Sequence, residues 1–349
     1  MKLIAVDLFA GVGGMSLGFQ QAGFKVACAV EIDPIHARYH SLNFPNTEVI
    51  CRDIKTILGD DIRRLSSIQN QEITVVVGSS PCQGFSIGGK RNVDDVRNDL
   101  VFDFVRIVND LQPRYFVFEN VKGILSGYGK HILDEMISKF NYSGYEVLPY
   151  KVMNAKHYGV PQNRERLIMI GYRNDCEPPT YPQPSSKRIV TVWDAIGDLP
   201  EPTDFPILYQ QDSTSCEYGI PTDYARKLRI PNAYKITNSK LTRHSEETIA
   251  RFAVTTRGER EPISRFHKLD PNGLCPTLRA GTGSDKGNHT APRPIHPFVP
   301  RVITVREAAR LHSFPDWFQF HPSCMWGMRQ IGNSVCPLMA QTIAESIPH

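Results

Sequence analysis

Two short stretches carry side chains able to do covalent chemistry: SSPCQGFS, residues 79–86, and FENVKG, residues 118–123. Cys82 follows an apolar run, VVVGS, and sits among serine, proline and glycine, the composition of a tight exposed turn at a strand end. A thiol has an ordinary pKa near 8.5, so only roughly a tenth is thiolate at slightly alkaline pH. It still attacks electron-poor carbon when the electrophile is activated as it reacts. A carboxylic acid that protonates or hydrogen-bonds a ring nitrogen supplies that activation, and Glu119 is the acid expected to do so. A lone cysteine is more often a small buried hydrophobe. The turn composition and the glycine loop described next favour the reactive reading.

That loop is DLFAGVGG, residues 7–14. Glycine lets a backbone turn sharply and approach a ligand closely. The spacing is not G-x-G-x-x-G, because position 16 is serine, so a pyrophosphate-gripping nicotinamide site is disfavoured. Glu31 ends an apolar run and is placed to accept ribose hydroxyls. Asp53 is placed to receive an adenine amino group and Phe9 to lie against an adenine face. An adenosine ligand without a pyrophosphate points to S-adenosylmethionine. The alternative stays open at this stage: glycines that only shape a turn, with Glu31 and Asp53 as helix caps.

The elements that must position these residues are legible in outline. Apolar runs at 2–6, 25–30, 47–50, 73–77, 115–119 and 166–171 read as strands, with helical periodicity between them, as in DLVFDFVRIVND at 99–110. Strands spaced by helices imply an α/β fold with a doubly wound parallel sheet, whose ligands lie beyond the carboxyl ends of the strands. From about 172 to 300 the pattern gives way to proline, glycine and polar residues, which reads as a second, smaller, loop- and strand-rich domain. The expected division is a catalytic domain over 1–180, completed by a C-terminal helix at 328–349, and a smaller domain over 181–327. TVREAARLHSF, 304–314, reads as a helix capped by Thr304 and Glu307.

Composition is that of an ordinary globular chain: 41% hydrophobic, 22% charged and a net charge of +4 over 349 residues. No run reaches the roughly 18 apolar residues of a membrane span, and the N-terminus lacks a signal-peptide pattern. The eight cysteines include no C-x-x-C pair, so neither a zinc site nor a disulfide framework is expected, and the expected location is a bacterial cytoplasm. The charge is unevenly spread. Residues 226–310 hold seventeen Lys and Arg, mostly Arg, against seven Asp and Glu. A solvated basic face would account for that, and so would a polyanionic partner.

DLFAGVGG (7–14), EIDP (31–34), RDI (52–54), SSPCQGFS (79–86), FENVKG (118–123), QNRERLIMIG (162–171), TVREAARLHSFPD (304–316) and QIGNSV (330–335) together resemble the ordered motif series of DNA (cytosine-5)-methyltransferases. The match runs the length of the chain apart from a variable stretch at about 172–300. The resemblance implies a Rossmann-like S-adenosylmethionine-dependent methyltransferase domain and a target-recognition domain. It implies that Cys82 adds to C6 of a cytosine flipped out of duplex DNA while Glu119 acts at N3. The activated C5 then takes the methyl group. It implies that Arg164 and Arg166 hold the flipped base and adjacent backbone. The cofactor set becomes Phe9, Gly11, Gly14, Glu31, Ile32, Asp53, Ile54, Pro81, Leu100, Asn333 and Ser334. Gln83, Ser86, Lys90 and Arg97 belong to a segment implied to close over DNA, and Arg243, Arg251, Arg257, Arg260, Arg265 and Arg279 are the recognition-region candidates. The implied protein is a monomer acting on double-stranded DNA as the modification enzyme of a restriction system, with a cognate endonuclease. Two other readings share features: a transfer-RNA cytosine-5 methyltransferase on the same motifs, and a nonenzymatic sequence-specific DNA binder.

Overall fold

The computed structural model describes residues 3–66, 68–81, 100–185, 188–281 and 293–348. The chain divides into two compact units. The first comprises Met1–Asn154, Glu165–Pro184 and Met339–His349, the second Ala155–Arg164 and Ser185–Leu338.

The first unit is built on an eight-stranded sheet. Its strands are β1 (Ile4–Leu8), β2 (Lys25–Glu31), β3 (Glu48–Cys51), β4 (Val75–Ser79), β5 (Tyr115–Val121), β6 (Tyr145–Val147), β7 (Lys151–Asn154) and β9 (Glu165–Arg173). The order is β3-β2-β1-β4-β5-β9-β6, with β7 also paired to β9. From β3 to β5 every pairing is parallel. Helices α1 (Gly14–Gln21), α2 (Pro34–Asn43), α3 (Gly59–Leu65) and α4 (Leu100–Leu111) alternate with these strands, and α5 (Tyr128–Tyr142) follows β5. A parallel sheet covered on both faces needs continuously apolar strands, and all five residues of IAVDL in β1 are buried. α4 earns its place by a stripe of Val101, Phe104, Val105, Val108 and Leu111, all buried. Phe104 meets Phe118 of β5 with ring centroids 5.3 Å apart.

One expectation changes. The strand over 166–171 belongs to the sheet but runs antiparallel to β5, with Glu119 opposite Ile168 and Val121 opposite Arg166. The reason lies in the connection. Residues 155–164 between β7 and β9 hold only a 3-10 turn, Ala155–Tyr158, and a two-residue strand, Gln162–Asn163, so β9 pairs antiparallel with β7, since a parallel return needs a crossover of a dozen residues or more.

The second unit has short elements: β8 (Gln162–Asn163), α6 (Val192–Ile196), β10 (Thr214–Ser215), α7 (Asp223–Leu228), β11 (Lys235–Ile236), α8 (Glu246–Val254), β12 (Cys275–Pro276), α9 (Val305–Leu311) and α10 (Cys324–Asn333). A last helix, α11 (Pro337–Glu345), begins in this unit and ends in the first. With little regular structure, ion pairs bind its loops together. Arg310 is fully buried between Asp198 and Asp316, and Arg301 bridges Glu201 and Glu307. Such pairs tolerate burial because each charge is both paired and hydrogen-bonded. Thr304 and Glu307 form the expected capping box at the start of α9. Among the described residues no helix is long and apolar enough to cross a membrane.

Candidate active site

The parallel strands of the first unit bring Phe9, Glu31, Asp53 and Pro81 to one edge of the sheet, each at or just past a strand's carboxyl end. The glycine loop is tightly wound: Phe9, Gly11 and Gly13 have φ of 57°, 56° and 101°. Glycine is needed at 13 for a second reason, since a Cβ there would stand 2.3 Å from the Phe44 ring. Phe9 is half-buried and packs on the core, and Gly14 is buried as the first residue of α1.

Four side chains pin this loop. Glu31, buried at the end of β2, accepts the Gly11 N–H on Oε2 and the Asp33 N–H on Oε1, both at 2.8 Å. Asp33, not Glu31, caps α2, through the N–H groups of Ile35 and His36. His40 Nδ1 lies 3.2 Å from the Gly11 carbonyl. A carbonyl only accepts, so Nδ1 carries the proton. Burial pushes the ring down to about 4, which keeps it neutral. Asp7 in β1 accepts both the N–H and the hydroxyl of Ser16 on Oδ2, at 3.1 and 2.6 Å, tying β1 to α1. Its burial outweighs those bonds and pushes the carboxyl up to about 7. Sequence reasoning missed Asp7, Ser16 and His40. The signal for Asp7 was present, a carboxylate inside an apolar strand.

Asp53 is half-buried and caps the 3-10 turn Ile54–Thr56 through Lys55 N–H, so for this residue the capping role is met. Ile54 is buried beneath it. Ile32, next to Glu31, is 62% exposed, a large apolar side chain left beside the loop. Pro81 and Leu100 are half-buried at the two ends of the segment 82–99, and Leu100 packs on the core. Cys82, Gln83, Ser86, Lys90 and Arg97 lie outside the described residues.

Glu119 is buried in β5, with Ser79 of β4 as its register partner. Its Oε1 receives Arg166 Nε at 2.8 Å from the antiparallel β9, so the strand reversal is what sets the acid beside a guanidinium. The adjacent Asn120, buried and not anticipated from sequence, donates Nδ2 to both the carbonyl and the hydroxyl of Ser80 at 3.3 Å, two positions before Cys82.

Arg164 belongs to the second unit, is 1% exposed, and donates to the carbonyls of Leu278, Gly332 and Ser334. An arginine so enclosed organises its own unit. In that unit Asn333 is exposed and Ser334 is buried, with its hydroxyl donated to Gln330 O. Arg251 pairs with Glu247 at 2.9 Å and Glu261 at 3.1 Å. Arg243, Arg257, Arg260, Arg265 and Arg279 are exposed, Arg243 over Tyr209 and Arg257 over Phe298.

The sequence profile of a family described as C-5 cytosine-specific DNA methylase matches residues 3–349. The chain is 50% identical to the Type II methyltransferase M.XorII of Xanthomonas oryzae pv. oryzae, with 99% of this chain and 84% of that protein aligned. It is 35% identical to M1.HphI of Haemophilus parahaemolyticus, over 99% of this chain and 87% of the relative. Among solved structures, a prophage-encoded E. coli protein described as a DNA modification methyltransferase superposes with a TM-score of 0.84 at 34% identity, covering 99% and 98% of the two chains. The S. pombe Dnmt2 methyltransferase superposes at 0.60 and 16% identity, a likeness of fold.

Proposed function

The chain belongs to the C-5 cytosine-specific DNA methylase family, and from that premise we propose that it modifies one cytosine in a duplex recognition sequence, as the methyltransferase of a restriction system. The observation that carries the reading is the buried Glu119–Arg166 pair, whose acid lies on the strand beside the one that leads into Cys82. A cytosine C5 is too weak a nucleophile to take a methyl group unaided. Addition of the Cys82 thiolate to C6, with Glu119 donating a hydrogen bond or proton at N3, places electron density on C5. C5 then forms its bond to the methyl carbon as that carbon's bond to the donor sulfonium breaks and leaves a neutral thioether, water takes the C5 proton, and the C6–sulfur bond breaks to release the Cys82 thiolate and restore the ring. Arg166 holds the acid's position and offers its remaining N–H donors to the pyrimidine's carbonyl oxygen. A stacked base cannot reach these groups, so the target is extruded at a cost of a few kcal/mol, offset by contacts in the pocket.

S-adenosylmethionine supplies an electrophilic methyl group on a sulfonium. The glycine loop fits it: apart from its chain neighbours, no atom of the described residues lies within 4 Å of where a Gly11 Cβ would stand, so they leave space at the loop's tip. Glu31 is fixed by two backbone N–H groups with lone pairs left for ribose hydroxyls, and Phe9 and Ile32 offer apolar cover for a purine. The exposed, arginine-rich surface of the second unit supports duplex DNA as the substrate.

The test is covalent trapping on duplex DNA carrying 5-fluorocytosine, in which the fluorine cannot leave as a proton does. The expected product is a denaturation-resistant adduct mapped to residue 82, absent in Cys82→Ser. No adduct, with tritiated methyl groups appearing on transfer RNA instead, would replace this reading with an RNA substrate.

A further inference from the structure

In the second unit the chain from Gly258 to Lys268 doubles back on itself. Gly258 N–H donates to Lys268 O, Lys268 N–H to Glu259 O and Glu261 N–H to Phe266 O, each at 2.8 Å, and Arg260 bridges His267 antiparallel. The turn at 261–265 is clamped from inside. The buried Glu261 carboxylate accepts the N–H groups of Ile263, at 3.1 Å, and Ser264, and takes Arg251 Nε from α8 at 3.1 Å. Below the turn, Phe266 packs on Phe252, Ile295 and Val302. Lys268 Nζ donates to the carbonyls of Phe252 and Ala253, which closes the end of α8.

This scaffolding holds outward side chains that the fold itself does not use. Ile263 is 69% exposed at the tip. Arg265 is exposed and has a φ of 61°, a backbone conformation that a non-glycine residue keeps only where its surroundings impose it. We propose that the 261–265 turn is the element that reads the target sequence, with Ile263 and Arg265 as its specificity-determining side chains in the DNA major groove. The inference rests on the duplex-DNA reading above. A two-stranded ribbon fits a groove about 12 Å wide, arginine forks onto the O6 and N7 of guanine, and an aliphatic side chain meets a thymine methyl. A turn already locked loses little freedom on docking.

The test uses the full chain on a randomised duplex library, with methylated cytosines read by bisulfite sequencing. Ile263→Ala and Arg265→Ala each lower discrimination at one or two base pairs by about ten- to a hundredfold, with cofactor affinity and thermal midpoint unchanged. Arg265→Lys, which keeps charge but loses the fork, behaves like Arg265→Ala. Glu261→Gln, which loosens the turn but keeps both tip side chains, loses discrimination at the same base pairs. Uniform weakening on all sequences would overturn the proposal and make these phosphate contacts. Unchanged preference with a dimer lost in Ile263→Ala would overturn it in favour of a protein-binding tip. A wild-type chain that methylates no duplex sinks the duplex-DNA reading instead.

Discussion

Arg166 Nε stands 2.8 Å from Glu119 Oε1 across the antiparallel β5–β9 pairing, with side chains only 12% and 8% exposed. The diagonal placement follows from register: Val121, two residues past the acid, faces Arg166 directly. A carboxyl group held by a fixed donor is oriented before any base arrives. Glu119→Gln keeps the shape but neither ionises nor delivers a proton, so turnover falls by about two to four orders of magnitude. Cofactor affinity, read by calorimetric titration, stays at the wild-type value. A matching fall in that affinity would place the acid in the wrong pocket.

The bond from Glu31 to the Gly11 N–H gives a second prediction. Glu31→Ala removes a charged acceptor from the half-buried Gly11 N–H and, in the proposed site, from the ribose, and hydrogen bonds to charged groups contribute about 1.5–3 kcal/mol. S-adenosylmethionine affinity therefore drops by roughly ten- to a hundredfold, measured on the purified protein without DNA. Unaltered affinity would mean that the adenosine lies away from the glycine loop.

Gly13→Ala is expected to damage fold and cofactor binding together. A φ of 101° disfavours any side chain, and the new methyl would stand 2.3 Å from the Phe44 ring. Left-handed strain and overpacking sum to about 2–5 kcal/mol, read as a lowered denaturant midpoint. A variant with wild-type stability would show that Phe44 and α2 yield freely.

Asp7 makes stability depend on pH. Its carboxyl titrates near 3.9 when unfolded and at about 7 when folded. Between those values the native state keeps a proton that the unfolded state has released, so this contribution is whole below the lower value and lost as pH rises through the upper one. Asp7→Asn has no such proton. Its stability relative to wild type should climb across that window, by an amount on the order of a few kcal/mol, and level off above it. A difference that stays constant with pH, in chemical denaturation, would show that Asp7 is ionised in the fold.

The strands of the parallel half were legible because both-sided burial writes continuous apolar runs, and VVVGS and YFVFENV cannot be mistaken for surface. The runs were read up to two residues early at β1 and β4, since Asp7 and Ser79 are polar yet belong to the strands. The direction of β9 was not legible: its apolar pattern is the same either way, and only the short 155–164 connection decides it. Among candidate site residues, types and turn context pointed to Glu119 and Glu31. Nothing local distinguishes Arg164 from Arg166 in QNRER. One reaches from β9 to a carboxylate on β5 and the other turns into carbonyls more than a hundred residues away in the chain. The same holds for Arg251, whose partner Glu261 is set by tertiary folding.

Asn120 shares a strand with the acid and grips the residue two places upstream of the thiol. Under the proposed mechanism this contact ties the strand that carries the proton donor to the chain leading into the nucleophile. A substitution at position 120 is therefore expected to change turnover although Asn120 carries no reacting atom of that mechanism.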